Sequence, residues 1–136
     1  MKKILTVGVF DLLHIGHVNL FRRAKSLSED GKLIVAVQES DVVLKYKPGT
    51  NLVYSTEERM YMVKAIRFVD DVIPYQAVDE IVKKVDFDVF VTGPDQIHDG
   101  FQRAMRWCEE NGKEHVVIPR TDGISSSWLK EQIKTM

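Results

Sequence analysis

Five short apolar runs punctuate the chain: ILTVG at residues 4–8, LIVAV at 33–37, VDDVIP at 69–74, DVFVTG at 88–93 and HVVIP at 115–119. They are rich in Val and Ile and mostly bounded by Gly, Pro or charge, so they read as strands. Between them, apolar spacing predicts helices at about 17–28, 55–67, 77–85 and 100–111, with a last one from about 125 to the end. Ser55 followed by Glu58 makes a capping box, and Gly112 closes the fourth helix. One long stretch, about 38–54, carries neither period. It contains LKYKPGTN and reads as an irregular loop, which at that length is usually functional or mobile.

Strand and helix alternating five times implies right-handed crossovers and a parallel sheet covered on both faces. The expected fold is therefore α/β: a Rossmann-like, doubly wound, five-stranded parallel sheet in one domain over residues 1–136. In such a sheet ligands bind beyond the carboxyl ends of the strands, near the point where strand order reverses. The segments that follow strands one, four and five are GVFDLLHIGH, GPDQ and PRTDGISSS, and each carries chemistry.

Composition narrows the function. The 136 residues suit one domain with a sizeable core. Lys plus Arg number 19 against 20 acidic residues, so the charge excess that a nucleic-acid backbone demands is missing. A single cysteine, Cys108, excludes an internal disulfide and suits a reducing, cytoplasmic setting. MKKILTVGVF opens with basic residues and an apolar run, but it continues into Asp11 with no small-residue cleavage site and is expected to be the first strand. No run approaches the ~20 apolar residues of a membrane span.

In GVFDLLHIGH, Gly8 permits close backbone approach to a ligand, and His17 falls near the start of the first helix, where free N–H groups and the dipole favour phosphate. One histidine there would be read as a cap or a packing residue. His14 and His17 flanking Gly16 instead point to a shared anion. Arg120 offers a forked cation ahead of a Gly123 turn, and Ser125, Ser126 and Ser127 open the last helix. Lys45 and Lys47 lie on the long loop, where they are either solvated charge or clamps for a triphosphate. Asp11 and Asp95 suit a substrate hydroxyl, a bound metal or a plain turn. No resident metal site is expected: His98 and His115 stand alone, and Cys108 has no partner at ligand spacing.

GVFDLLHIGH, Lys45 with Lys47, GPDQ and RTDGISSS, in this order over nearly the whole chain, resemble the small cytidylyltransferases, most closely the branch acting on glycerol 3-phosphate. The tetrapeptide His14-Ile15-Gly16-His17 also resembles the ATP signature of class I aminoacyl-tRNA synthetases, but their lysine-rich partner motif is missing here. The resemblance implies that His14, His17, Lys45, Lys47 and Arg120 act on the triphosphate. It implies a nucleotide pocket lined by Gly8, Val9, Phe10, Gly16, Gly93, Asp95, Thr121, Gly123, Ile124, Ser125 and Ser126, and acceptor contacts from Asp11 and Arg59. It further implies CTP and a small phosphomonoester as substrates, Mg2+ carried by the nucleotide, and a homodimer. Asp122 in place of a glutamate is a mild departure; two others bear on the acceptor more than on the reaction: Pro94 and Gln96 replace an aspartate and a tryptophan, and the loop KPGTNLVYS is longer than that branch usually has. Phosphocholine, phosphoethanolamine and polyol phosphates are alternative acceptors. Adenylyl transfer to a sugar phosphate is an alternative reaction.

Overall fold

A computed structural model describes residues 2–136. Its elements run β1 (Lys3–Gly8), α1 (Ile15–Lys25), β2 (Lys32–Gln38), α2 (Ser40–Tyr46), α3 (Thr56–Lys64), β3 (Asp71–Tyr75), α4 (Val78–Lys84), β4 (Val89–Thr92), α5 (Asp99–Glu110), β5 (Glu114–Val117) and α6 (Ser126–Lys134). All strand pairings are parallel, in the order β3-β2-β1-β4-β5.

The unbroken apolar runs follow from this arrangement. The central strands are covered on both faces, so successive residues are all buried but belong to different layers. Ile4, Leu33, Val35, Val37, Val89 and Val91 pack with Phe21 and Ala24 of α1 and Val63 of α3 on one face. Their neighbours Leu5, Val7, Ile34, Ala36 and Phe90 pack with Val78 and Val82 of α4 and Phe101, Ala104 and Cys108 of α5 on the other. The edge strands are less buried, and β3 carries Pro74, which an edge tolerates.

Strands β1, β2 and β3 progress toward one edge; the chain then crosses back to place β4 on the opposite side of β1. The reversal therefore lies between β1 and β4. Gly8 ends the first of these strands and Gly93 follows the second.

Two differences from the sequence expectation bear on the site. The stretch read as an irregular loop holds α2, a seven-residue helix whose one buried residue is Val43 and whose N-cap Glu39 makes no side-chain cap bond. A helix with no cap bond and a single anchoring residue leaves no periodic signal. The first helix also begins earlier than predicted, at Ile15, which makes His14 its N-cap and His17 its third residue.

Candidate active site

The β1–α1 turn is built around two imidazoles. His14 Nδ1 accepts from the Gly16 N–H at 3.0 Å, and His17 Nδ1 accepts from the His14 N–H at 3.2 Å. The rings stack at 3.8 Å between centroids. Together they make a capping box from histidine, using residues that rarely serve as caps. Because each Nδ1 is an acceptor, the neutral rings carry their protons on Nε2. Each histidine thus keeps one N–H donor that α1 does not use.

Gly16 makes this possible. A Cβ there would lie 2.8 Å from His14 Cε1 and 2.9 Å from His14 Nδ1. The glycine in the tetrapeptide is the space that the folded-back first imidazole requires. Gly8 answers a similar constraint: a Cβ on it would lie 2.7 Å from Phe10 Cζ, so the close approach there is to the Phe10 ring of the same turn. Phe10 and Leu12 both adopt positive φ, 54° and 42°, an unfavourable backbone for non-glycine residues; at Phe10 it is held in place by packing of the buried ring. The buried Phe10 ring meets His17 edge-on at 5.4 Å and Phe21 at 5.2 Å.

Burial sets the protonation of the pair. The half-buried His17 is pushed down to about 3 by desolvation and then by His14. His14 is lowered by desolvation and then by the positive charge of Arg120. Both are therefore neutral donors near pH 7, and the Arg120 charge acts on the same spot.

Arg120 reaches across to the loop after β4, where its Nη1 lies 2.6 Å from Asp95 Oδ2. Both side chains are exposed, at 53% and 68%, so a ligand can compete for the guanidinium. Beyond Arg120, Thr121 Oγ1 accepts from Asn19 Nδ2 at 3.1 Å, Gly123 turns with φ +80°, and Ile124 Cγ2 lies 3.5 Å from the position a Gly16 Cβ would take. Ser125 caps α6 by accepting from the Trp128 N–H, and Ser126 Oγ donates to the Asp11 carbonyl at 2.7 Å. The RTDGISSS segment is thereby seated on the β1–α1 turn. At the switch point itself, Gln96 Oε1 accepts from the Gly93 N–H and Gln96 Nε2 donates to the Val7 carbonyl, both at 2.9 Å. The residue that departs from the family pattern thus ties β4 to β1.

Asp11 and Arg59, for which the resemblance implies acceptor contacts, are both engaged by groups of the chain itself. Asp11, only 4% exposed, accepts from the Val53 and Tyr54 N–H groups at 2.9 and 3.2 Å and pairs with Lys130 Nζ at 3.1 Å. These hydrogen bonds outweigh desolvation and hold its carboxyl below the usual range. Arg59 is fully buried. Its N–H groups point at the carbonyls of Tyr54, Val9 and Gln38 and at the hydroxyls of Ser40 and Thr56. All five donors are engaged by protein oxygens, so in this arrangement Arg59 shapes the site by holding β1, β2 and α2 together.

Lys45 lies in the last turn of α2 and Lys47 is its C-cap; both are exposed, and neither forms an ion pair among the described residues. Among the described residues no hydrogen bond, ion pair or ring contact joins them to the histidines or Arg120, although the loop after them is fastened to Asp11. Lys130, Gln96 and Asn19 were not among the expected site residues. The available signal for Lys130 was its position four residues after Ser126, which places both on one face of α6 toward the same aspartate. Among the described residues there is no cluster of three or more His, Cys, Asp or Glu that could hold a metal, and no helix is long and apolar enough to cross a membrane.

Comparison with known proteins places the chain in a family. The chain is 38% identical to glycerol-3-phosphate cytidylyltransferase of Bacillus subtilis over 138 residues, covering 98% of each chain. It is 39% identical over 100 residues to FAD synthase of Pyrococcus abyssi, covering 71% of this chain and 66% of the relative. Among solved structures, the lipopolysaccharide core biosynthesis protein of Thermoplasma volcanium shares the fold with a TM-score of 0.74 and 23% identity, covering 90% of this chain and 99% of that one. The cytidylyltransferase-like family profile matches residues 5–132. With the paired histidines, Arg120 and the β1/β4 switch point in place, the chain belongs to the cytidylyltransferase-like family and is a nucleotidyltransferase enzyme.

Proposed function

We propose that the protein transfers CMP from CTP to a small phosphomonoester, glycerol 3-phosphate first among them, releasing pyrophosphate and a CDP-alcohol. The observation that carries this reading is the convergence at one strand-order reversal of two neutral Nε2–H donors and one forked, exposed cation. An oxygen of the acceptor phosphate attacks the α-phosphorus in line, a new P–O–P bridge forms, and the bond to the β-phosphate breaks. The second pKa of a phosphomonoester lies near ~6, so the nucleophile is already mostly dianionic at neutral pH and no general base is needed. What lowers the barrier is positioning together with stabilisation of charge on the α-phosphate and on the leaving pyrophosphate. His14, His17 and Arg120 supply the donors. Lys45 and Lys47, exposed at the end of α2, supply further charge for the phosphates.

Mg2+ belongs to this reading as the partner of the triphosphate, which it would neutralise. Mg2+ bound with a nucleotide is held mainly by phosphate oxygens and water, with one or two carboxylates at most. A homodimer and a cytoplasmic setting are part of the same proposal, on resemblance alone.

Glycerol 3-phosphate leads as acceptor because the full-length relatives in Bacillus subtilis and Staphylococcus aureus carry that activity in their names. The similarity to FAD synthases favours a second reading, nucleotidyl transfer with ATP as donor. Phosphorus NMR of the protein with CTP, Mg2+ and glycerol 3-phosphate tests the first. Pyrophosphate and a pyrophosphate diester should accumulate in equal amounts; pyrophosphate with CMP and no diester would mean hydrolysis and reject transfer.

A further inference from the structure

Lys130 lies outside every motif of the chain, yet it joins three of the segments that form the site. Its ammonium is 3.1 Å from Asp11 Oδ2 and donates to the Asn51 carbonyl at 2.8 Å. Asp11 belongs to the β1–α1 turn, three residues before His14. Asn51 belongs to the loop that follows Lys45 and Lys47, and Lys130 itself rides on α6, directly after the Arg120–Ser125 segment.

The loop from 51 to 54 is fastened almost wholly through this pair. Lys130 takes the Asn51 carbonyl, while the carboxylate it faces takes the Val53 and Tyr54 N–H groups. Among the described residues, the one further hydrogen bond on that stretch runs from Arg59 Nε to the Tyr54 carbonyl, at 3.3 Å. The pair is sheltered, with Asp11 at 4% and the Lys130 side chain at 24% exposure, so water and salt screen it less than a surface ion pair. Removing the ammonium leaves a nearly buried carboxylate without its cation and one loop carbonyl without its donor.

We infer that Lys130 is a positioning residue for nucleotidyl transfer: through Asp11 and the Asn51 carbonyl it locks the 51–54 loop, and with it the Lys45 and Lys47 segment, to the helix that follows Arg120. The two groups of cations are thereby held by a further joint, beside those that Arg59 makes to α2 and Ser126 makes to the β1–α1 turn. The inference rests on the proposed function for its catalytic consequence, but the lock can be tested without substrate.

The experiment pairs Lys130→Met, which keeps the aliphatic stem, with Lys130→Arg, which keeps charge and reach. Hydrogen exchange of the full chain without ligand should show the Val53 and Tyr54 amides opening about 10-fold faster in the methionine variant, with β1 and β4 amides unchanged. At saturating CTP and acceptor its kcat should fall roughly 10-fold, the scale of a misplaced cation rather than a deleted one. The arginine variant should recover both readouts to within about 3-fold, since a guanidinium can meet the same two oxygens. Unchanged loop exchange in the methionine variant would overturn the lock. Faster exchange with kcat and KM unaltered, or no recovery with arginine, would overturn the positioning role. Wild-type protein inactive on every acceptor would count against the proposed function, and the exchange comparison would still decide the lock.

Discussion

His17 Nδ1 accepts the N–H of His14, while the His14 ring, stacked on it at 3.8 Å, folds back to accept the N–H of Gly16. The same two side chains that point to phosphate chemistry therefore also start α1. Capping and catalysis share residues here, and substitutions can pull them apart.

Asparagine is a strong N-cap residue and glutamine can close a capping box from the third position. His14→Asn and His17→Gln should therefore hold the unfolding free energy within about 1 kcal/mol of wild type, while alanine at either position costs about 0.5–2 kcal/mol. All four variants should lose roughly 100-fold or more in kcat, by analogy with other preorganised donors. Denaturant melts beside steady-state rates check this. Full activity in His14→Asn and His17→Gln would make the imidazoles purely structural.

Gly16→Ala is a sharper probe, because glycine-to-alanine inside a helix ordinarily stabilises by up to about 1 kcal/mol. Here the new methyl would meet the His14 ring at 2.8 Å. The variant should show no stabilisation and should lose at least ~10-fold in kcat as the ring is displaced. A more stable, fully active variant would show that the stacked arrangement is dispensable.

The sheet was legible in the sequence because burial on both faces turns central strands such as residues 33–37 into unbroken apolar runs. That alternation also implied a parallel sheet with its ligand-binding loops after the strands, those bearing His14, His17 and Arg120 among them; where the strand order reverses, between β1 and β4, became visible only in the fold. α2 was not legible, since Val43 is its one buried residue. Nor were the working partners of Asp11 and Arg59: Lys130 reaches Asn51 across 79 positions, and Arg59 meets the Val9 carbonyl across 50, and such pairings exist only once the chain has folded. Glycines 8 and 16 were recognised as special, but the rings they accommodate, Phe10 and His14, are visible only in three dimensions.

Arg59→Met removes a buried guanidinium and leaves the carbonyls of Val9, Gln38 and Tyr54 without that donor. Each unsatisfied buried group costs about 1–3 kcal/mol, so the loss should exceed ~3 kcal/mol. Equilibrium denaturation measures it. A change below 1 kcal/mol would return Arg59 to a ligand-facing role.

Stability should rise with pH between about 3 and 6.5. In that window the unfolded chain binds a proton at His17 that the folded chain refuses, because burial depresses the folded value from 6.5 to about 3. His14 is lowered in the same direction, and Asp11, held low by its hydrogen bonds, adds a further loss as the pH falls through and below its unfolded value of 3.8. The His17 contribution is at most about 1.4 kcal/mol per pH unit. Urea melts at intervals from pH 7.5 to 4.5 should give a clearly shallower slope for His17→Gln than for wild type. Superimposable slopes would mean that His17 titrates normally in the folded protein.

The central claim is that the paired histidines and Arg120 serve transfer of a cytidylyl group to a phosphomonoester. The most direct measurement is pyrophosphate release with Mg2+, for CTP, ATP, GTP and UTP each crossed with glycerol 3-phosphate, phosphocholine, phosphoethanolamine and a set of polyol and sugar phosphates. The account predicts release that requires both an acceptor and CTP, fastest with glycerol 3-phosphate, and reduced roughly 100-fold in His14→Asn. Release with ATP but not CTP, or an equal rate with no acceptor present, would contradict it.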